Sequence, residues 1–350
     1  MDILSKIKEV NLGGCGGACF PVADKWQTVK NTFAVKKYVV CNSSEGEPDV
    51  KKDGYIWGLW PEKVVEGMRV ALEFLSERGN AVEGYIFINH EYNNLYGKKI
   101  KAIIADKNLP IKIFIKPPSS GYIAGEETTI LNIIEGKEAE PRLRPPFPTT
   151  SGLWGYPTIV NNVETFYHIA KIEAGTYEDV RFYTISGDCD EPGVYKLGTG
   201  KTIALVLRKT GNWPVRPFFV QVGGGASGEV LAMNQLNTPV TGTMSLTVYR
   251  ADNWQPEELL RHWIGFFMTE SCGQCTPCRE GTYRLFEIVN SKKIDWKLVK
   301  DILDNLSESS FCGLGLAAPI AIRSYIKNVI CSSEYDVKFA DKNEVQKIFN

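Results

Sequence analysis

Three cysteines at three-residue steps constrain this sequence more than any other feature. Cys272, Cys275 and Cys278 share one short loop with glycine and proline, and Cys312 follows downstream. Sulfurs at this spacing can face a common centre, and a C-x2-C-x2-C run with a remote fourth cysteine matches the ligands of a 4Fe-4S cluster. We predict that these four side chains hold such a cluster.

Structural zinc and a disulfide framework are the alternatives for these cysteines. Zinc usually takes two separated C-x2-C pairs rather than a compact triplet with one remote ligand. Disulfides are typical of small secreted domains, whereas this chain has 350 residues. The remaining cysteines are too scattered to define a second metal site by spacing, and we interpret most of them as small buried hydrophobes. They are Cys15, Cys19, Cys41, Cys189 and Cys331.

Length and charge limit the possible classes of protein. A chain of this length is expected to form two or three domains. The formal net charge is −1 and no basic block is present, so nucleic acid and anionic membrane surfaces have no support as partners. Neither a signal peptide nor an apolar run long enough to span a bilayer is recognisable, which predicts a cytoplasmic protein without membrane insertion.

Alternating strand and helix patterns in the first half predict an α/β fold. Strand-like runs at residues 37–41, 84–89 and 111–115 are separated by helical periodicity, which favours a Rossmann-like, largely parallel sheet. Short β-rich runs bounded by glycine follow between Val180 and Val248, and helices predominate from Pro256. The run Gly223-Gly224-Gly225 has no clear helix after it and is interpreted as a structural turn.

Several polar stretches have more than one interpretation. A glycine-rich run at residues 13–17 can let backbone N–H groups approach phosphate or a flat ring, or it can be a flexible turn. Glu126 and Glu127 at a helix start can cap the helix or accept hydrogen bonds from a nucleotide. The proline-rich segment at residues 140–148 is either an extended arm or a linker.

In order along the chain, these motifs resemble one family. They are the glycine-rich loop, Cys41-Asn42 with Glu45-Gly46-Glu47-Pro48, Gly125-Glu126-Glu127-Thr128, Glu140-Pro141-Arg142-Leu143-Arg144-Pro145-Pro146-Phe147-Pro148, Ser151-Gly152-Leu153-Trp154-Gly155, Asn161-Asn162-Val163-Glu164-Thr165 and Glu270-Ser271-Cys272-Gly273-Gln274-Cys275. The chain resembles the flavin-bearing NADH-oxidising subunit of respiratory complex I and its relatives in NAD-linked hydrogenases, formate dehydrogenases and electron-bifurcating enzymes. The likeness covers almost the whole chain.

The resemblance implies an FMN and NAD(H) site in the first domain. Hydride transfer would be carried out by the flavin, framed by Glu47 and Glu127. The glycine-rich loop and Lys25 would hold the FMN phosphate region. Asn161, Asn162 and Thr165 would bind the ribityl or phosphate end of the FMN. The implied cofactor-binding residues are Gly14, Gly16, Gly17, Ala18, Phe20, Lys25, Asn42, Ser44, Glu45, Gly125, Glu126, Phe147, Asn161, Asn162 and Thr165.

The resemblance also implies domains and partners. A Rossmann-like FMN/NAD(H) domain would span residues 1–177, a β-grasp domain 178–252 and a helical 4Fe-4S domain 253–350. A flavin can divide a two-electron hydride into single electrons for the cluster. Expected partners are a thioredoxin-like 2Fe-2S subunit and a further iron-sulfur, hydrogenase or dehydrogenase subunit, which would receive the electrons.

Departures from the family pattern lie around the flavin and the dinucleotide. The family has arginine and glycine where this chain has Cys15 and Cys19, aspartate where it has Ser44, and an aromatic residue where it has Thr28. An alternative function is therefore an electron-relay or assembly subunit that keeps the cluster, with or without the flavin, and does not bind nicotinamide. A zinc-stabilised binding protein is disfavoured by the cysteine spacing.

Overall fold

The computed structural model describes residues 2–76 and 79–349. The chain divides into two compact units. Unit 1 comprises Met1–Gly46 and Lys51–Val180, and unit 2 comprises Glu47–Val50 and Arg181–Asn350. Within the described ranges, no helix combines the length and the apolar character that crossing a bilayer requires.

Unit 1 alternates helices and strands, as the sequence predicts. Its elements are α1 (Ile3–Glu9), α2 (Val22–Asn31), β1 (Lys36–Ser43), α3 (Lys52–Leu59), α4 (Pro61–Ser76), β2 (Ala81–Ile88), α5 (His90–Asp106), β3 (Ile111–Ile115), α6 (Glu127–Ile134), β4 (Thr158–Asn162) and α7 (Val163–Glu173). The strands form one sheet in the order β3-β2-β1-β4, and every pairing is parallel. The predicted parallel sheet is confirmed.

Burial explains why these segments form strands and helices. Val39, Val40 and Cys41 in β1 are fully buried, as expected for a strand covered on both faces. Helix α4 packs closely against α7. A Cβ atom on Gly67 would lie 1.9 Å from the Phe166 carbonyl oxygen, so this approach requires glycine. The position of α7 therefore depends on α4.

Unit 2 contains a second sheet and the C-terminal helices. Its elements are β5 (Val180–Gly187), β6 (Gly193–Gly198), α8 (Ile203–Lys209), β7 (Phe218–Val222), β8 (Glu229–Leu231), β9 (Ser245–Arg250), α9 (Pro256–Glu270), α10 (Thr276–Val289), α11 (Trp296–Ser309), α12 (Gly313–Tyr325) and α13 (Lys342–Phe349). The strand order is β6-β5-β9-β7-β8. Strand β5 is parallel to β9, whereas β7 is antiparallel to both β8 and β9.

The C-terminal helices pack on one another and on the second sheet. Helix α9 contacts α10 and α12, and α11 contacts the same two helices, in agreement with the helices that the sequence predicts from Pro256. Trp263 Nε1 donates to Gln221 Oε1 (3.2 Å), and the Tyr335 hydroxyl donates to the Phe218 carbonyl (2.8 Å). These buried hydrogen bonds join helices and sheet within one compact unit, and the predicted boundary after residue 252 stays a prediction.

Candidate functional site

The first group of predicted site residues lies at the carboxyl edge of the parallel sheet. Strand β1 pairs with β2 on one side and with β4 on the other. The connections from β1 to β2 and β3 therefore run toward one side of the sheet, and β4 is added on the opposite side of β1. Asn42 and Asn162 are register partners at this edge. Open α/β sheets bind ligands at such a switch point. The fold thus brings together polar residues that lie 120 positions apart in the chain.

Asn42 organises the loop that follows β1. Its amide nitrogen donates to the Gly125 carbonyl (3.0 Å), and its oxygen accepts from the amide (3.1 Å) and hydroxyl (2.7 Å) of Ser44. A Cβ atom on Gly125 would approach Ser44 Oγ to 3.2 Å. The Ser44 hydroxyl is therefore held by its own loop, and it leaves little space for a side chain at residue 125.

Glu45 is enclosed by hydrogen-bond donors. Its carboxylate accepts from the amides of Asp53 (2.8 Å) and Gly54 (3.2 Å) and from the Tyr92 hydroxyl. Burial, followed by the negative charge of Asp53, raises the pKa of Glu45 to about 7. The residue as a whole retains some exposure, but its carboxylate lies on the inner side of the loop. It is thus poised to gain or lose a proton near neutral pH.

Lys52 and Asp53 form a buried charged pair that the sequence does not reveal. Lys52 Nζ lies 2.7 Å from Asp53 Oδ1, 2.8 Å from Asn162 Oδ1 and 3.3 Å from Glu164 Oε2. Burial opposes the charge of Lys52, but the surrounding carboxylates together raise its pKa. A Lys-Asp pair in a polar stretch normally indicates a surface, so only the orientation of α3 shows that these residues support the site.

The glycine-rich loop closes on itself and on α7. The Gly14 amide donates to the Phe20 carbonyl (2.9 Å), and the Cys15 amide donates to Thr165 Oγ1 (3.0 Å). Gly16, Ala18 and Phe20 are exposed. The loop is ordered by these bonds, and it leaves an exposed backbone surface. Cys19 has φ of +51°, a conformation that favours the glycine found in the family.

Lys25 and the two acidic residues at the start of α6 are paired within the protein. Lys25 Nζ donates to Glu127 Oε1 (2.8 Å) and to the Val160 carbonyl (2.9 Å). Glu126 is the N-cap of α6 and accepts from the amides of Thr128 and Thr129. The capping interpretation therefore accounts for Glu126. Its role toward a nucleotide stays a prediction.

Two predicted nucleotide contacts differ in their surroundings. Phe147 is 53% exposed and can offer a ring face to a ligand. Glu47, in contrast, accepts hydrogen bonds from the amides of Ala226 and Ser227, both at 3.0 Å, within unit 2. A Cβ atom on Gly224 would lie 2.2 Å from Glu47 Oε1, so the loop at residues 223–227 is shaped around this carboxylate.

This edge of unit 1 fits a flavin phosphate and ring. The exposed backbone of the glycine-rich loop and the ammonium of Lys25 are donor types that phosphate requires. The amide and hydroxyl donors of Asn42, Ser44 and Asn162 bond to other groups of the protein and hold the loops of this edge in place. Ser44 itself is buried, and its hydroxyl lies close to Gly125. The fit is one of chemical type and location.

The second group of predicted site residues lies where two helices begin. Cys275 is the N-cap of α10, and Cys312 is the N-cap of α12. Cys278 follows in the first turn of α10 and is buried. Helix N-termini carry partial positive charge, which stabilises thiolates. Gly273 has φ of +77°, and its carbonyl accepts from Arg279 Nη1 (2.8 Å), which turns the loop that carries Cys272.

The four thiols share one electrostatic environment. Burial raises the pKa of Cys278 to about 11, with smaller contributions of the same sign from Cys275, Cys312 and Cys272. Four neighbouring cysteine thiolates are the ligand set of a 4Fe-4S cluster, in which each sulfur ligates a different iron. The residues therefore fit such a cluster.

Comparison with protein families separates the same two regions. Residues 7–171 match the family described as the Nuo51 FMN-binding domain. Residues 258–332 match the NADH-ubiquinone oxidoreductase-F iron-sulfur binding region, and this range includes all four predicted cluster ligands. The first range contains every predicted cofactor-binding residue in unit 1.

Curated proteins and solved structures resemble the chain along most of its length. An F subunit of the NADH-quinone oxidoreductase of Rhizobium meliloti is 30% identical over 93% of this chain and 86% of the relative. The alpha subunit of the NAD-reducing hydrogenase HoxS of Cupriavidus necator is 31% identical over 91% of this chain and 58% of the relative. A crystal structure of an NAD⁺-reducing [NiFe]-hydrogenase superposes with a TM-score of 0.85 at 27% identity, covering 99% of this chain and 65% of that one.

Proposed function

This chain belongs to the family of NADH-quinone oxidoreductase F subunits and NAD-reducing hydrogenase subunits, and from that premise we propose that it is an NADH dehydrogenase-type electron-transfer subunit. It takes a hydride from NADH onto FMN and passes single electrons to a 4Fe-4S cluster and then to partner subunits. The observation that carries this function is the presence of both sites in one chain. A polar switch point lies in the region matched to FMN binding, and four cysteines lie at two helix starts in the region matched to iron-sulfur binding.

The residues divide into three roles in this proposal. The glycine-rich loop and Lys25 hold the FMN phosphate region, and Asn42, Ser44 and Glu45 face the flavin. Glu47, Glu126 and Glu127 frame the dinucleotide between exposed aromatic rings. Support comes from the shared sheet edge and from the hydrogen bonds that fix these side chains. The remaining proposed cofactor contacts are Gly125, Asn161, Asn162 and Thr165 around the flavin, and Phe20 and Phe147 at the nucleotide.

Bound FMN supplies the conversion between two-electron hydride chemistry and one-electron transfer. The chain contributes orientation and charge. Lys25 places a cation beside Glu127 at the sheet edge. Glu45 holds a carboxyl with a pKa near neutrality next to the loop of Ser44, so its charge can respond to the charge of a bound flavin. Cys272, Cys275, Cys278 and Cys312 supply the thiolates for the cluster.

A second candidate function is an electron-relay subunit that does not bind nicotinamide. Thr28 favours it, because the family has an aromatic residue at this position. The Thr28 hydroxyl donates to the Asp24 carbonyl within α2 (2.8 Å) and provides no ring for adenine stacking. Aromatic stacking typically contributes about 1 kcal/mol. The same substitution is compatible with NADH binding of lower affinity.

We also propose a domain organisation, a location and partners for the chain. The sheet of β5 to β9 with α8 is a β-grasp domain, supported by its mixed strand directions and by the helix that lies between β6 and β7 in the chain. The chain is organised as 1–177, 178–252 and 253–350, with a cytoplasmic location. A thioredoxin-like 2Fe-2S subunit and a further iron-sulfur, hydrogenase or dehydrogenase subunit accept its electrons, supported by relatives that are named as subunits of oxidoreductases and hydrogenases.

Anaerobic titration with NADH tests the proposal. We expect the purified chain to contain flavin and iron and to lose its visible flavin absorption when NADH is added. Flavin that stays oxidised with both NADH and NADPH supports the electron-relay function instead. Zinc without iron in metal analysis excludes both. Native co-purification followed by identification of the neighbouring subunits tests the partners.

A further inference from the structure

Three side chains of different types converge in the interior of unit 1. A sulfur of Cys15, a carboxylate oxygen of Glu164 and a ring nitrogen of His168 all lie within 4.8 Å of one another. Cys15 and Glu164 have no exposed surface, and His168 is 1% exposed. Thiolate, carboxylate and imidazole are the three ligand types that bind zinc in proteins.

One helix and one loop position these three groups. Glu164 and His168 are four residues apart in α7, so their side chains lie on the same face of the helix. The glycine-rich loop brings Cys15 to this face, where its amide donates to Thr165 Oγ1. The His168 ring packs edge-on against Tyr167 and Tyr177, with centroid distances of 5.3 and 5.7 Å, which fixes the plane of the imidazole.

Distances and charges suit one divalent ion. His168 Nε2 and Glu164 Oε1 are 3.7 Å apart, near the spacing of about 3.3 to 3.8 Å expected between ligands with zinc bonds of about 2.0 to 2.3 Å. Glu164 presents its other oxygen, Oε2, to Lys52. The ammonium of Lys52 already meets two buried carboxylates, those of Asp53 and Glu164. A zinc ion that displaces one proton from the thiol adds one net positive charge to this region.

We propose that Cys15, Glu164 and His168 form a second metal site that binds Zn²⁺ and fastens the glycine-rich loop to α7. The Gly13 carbonyl oxygen lies 3.6 Å from Cys15 Sγ and is a further oxygen atom that could ligate the metal ion. The site occurs where this chain has cysteine and the family pattern has arginine. It is structural in character, because all three ligands are buried.

Zinc-edge X-ray absorption of the anaerobically purified full chain with its cluster and flavin tests the site. We expect about one zinc per chain in addition to iron, with a mixed shell of one sulfur and two or more nitrogen or oxygen atoms. Zinc that has replaced iron at the four cysteines would instead show only sulfur, and this result would overturn the proposal. So would the absence of bound zinc after equilibration with Zn²⁺.

Variants separate this site from the cluster. Cys15→Ala and His168→Ala should each weaken zinc binding at least tenfold in competition with a chelator, while iron content is unchanged. Cys41→Ala is the matched control, because Cys41 is also buried in unit 1 but is not one of the three ligands; it should keep its zinc. Retention of zinc at full affinity by Cys15→Ala contradicts the assignment. If the variants do not fold, the sulfur count around zinc in the unmodified protein still decides.

Discussion

Glu45 illustrates how one residue at the sheet edge acquires unusual properties. Its carboxylate combines burial with the nearby charge of Asp53, and both favour the protonated form. The Tyr92 hydroxyl and two backbone amides hold it in place. The charge on Glu45 therefore depends on pH in the range where an NADH oxidoreductase operates, and it depends equally on any charge placed beside it.

Replacing Glu45 with glutamine should remove a pH dependence of stability. The pKa of Glu45 is about 7 in the folded chain, against an ordinary value of 4.5. Between these values the folded chain keeps the proton and the unfolded chain releases it, so this contribution to stability is full below pH 4.5 and is lost as pH rises through 7. The difference is at most about 4 kcal/mol, at about 1.4 kcal/mol per pKa unit.

Urea unfolding of the flavin-free protein at about pH 5 and about pH 8 measures this effect. These two pH values lie below and above the Glu45 pKa of about 7. The unmodified chain should lose stability between them through Glu45, and Glu45→Gln should lose less. Glu62→Gln on α4 is the control, because the pKa of Glu62 is lowered and it titrates below this range. An identical pH dependence in Glu45→Gln and the unmodified chain would contradict the interpretation.

Helix starts are the elements that define the cluster site. Helices α10 and α12 both begin at a predicted ligand, so their N-termini converge on the same sulfurs. The approach of α12 to Cys278 is close. A Cβ atom on Gly315 would lie 3.3 Å from Cys278 Cβ and 2.5 Å from Ser310 Oγ. A Cβ atom on Gly313, in the same turn, would meet nothing within 4 Å.

Substituting these two glycines with alanine should separate helix propensity from cluster geometry. Gly315→Ala should displace the start of α12, lower the iron content and destabilise unit 2 by about 1 to 3 kcal/mol through overpacking. Gly313→Ala should retain iron and be neutral or slightly stabilising, because alanine favours helix. Iron analysis and thermal unfolding of the two variants check the difference. Equal iron contents would contradict the packing argument.

At the scale of the whole molecule, the two cofactor sites draw on separate units. Apart from Glu47, every residue proposed for FMN or nucleotide lies in unit 1, and all four cluster ligands lie in unit 2. Each unit has its own sheet and its own buried core. Flavin binding and cluster binding should therefore be separable by mutation.

Removing a cluster ligand should leave the first electron-transfer step intact. Cys312→Ala should lose most of its iron, yet its flavin should still bleach when NADH is added anaerobically. Its electron transfer to a one-electron acceptor should fall at least tenfold if electrons leave through the cluster. Cys331→Ala, a cysteine outside the ligand set, should retain iron and activity. Loss of flavin together with iron in Cys312→Ala would show that the sites are interdependent.

The sequence by itself determined the parallel α/β order, the four cysteines and the family, because these depend on local periodicity, residue spacing and the order of motifs along the chain. It also placed Glu45 correctly in a loop after a strand, whereas Asn42 is still part of β1, which runs on to Ser43. These features need no knowledge of long-range contacts.

Only the tertiary structure decided which distant side chains meet. Cys15 looked like an isolated thiol, and it lies against Glu164 and His168 because a loop and a helix pack together. Lys52 and Asp53 drew no prediction from the sequence, and they are buried because α3 brings them against Asn162 and Glu164. Burial and the charge of non-local neighbours set these interactions, and neither is encoded in spacing along the chain.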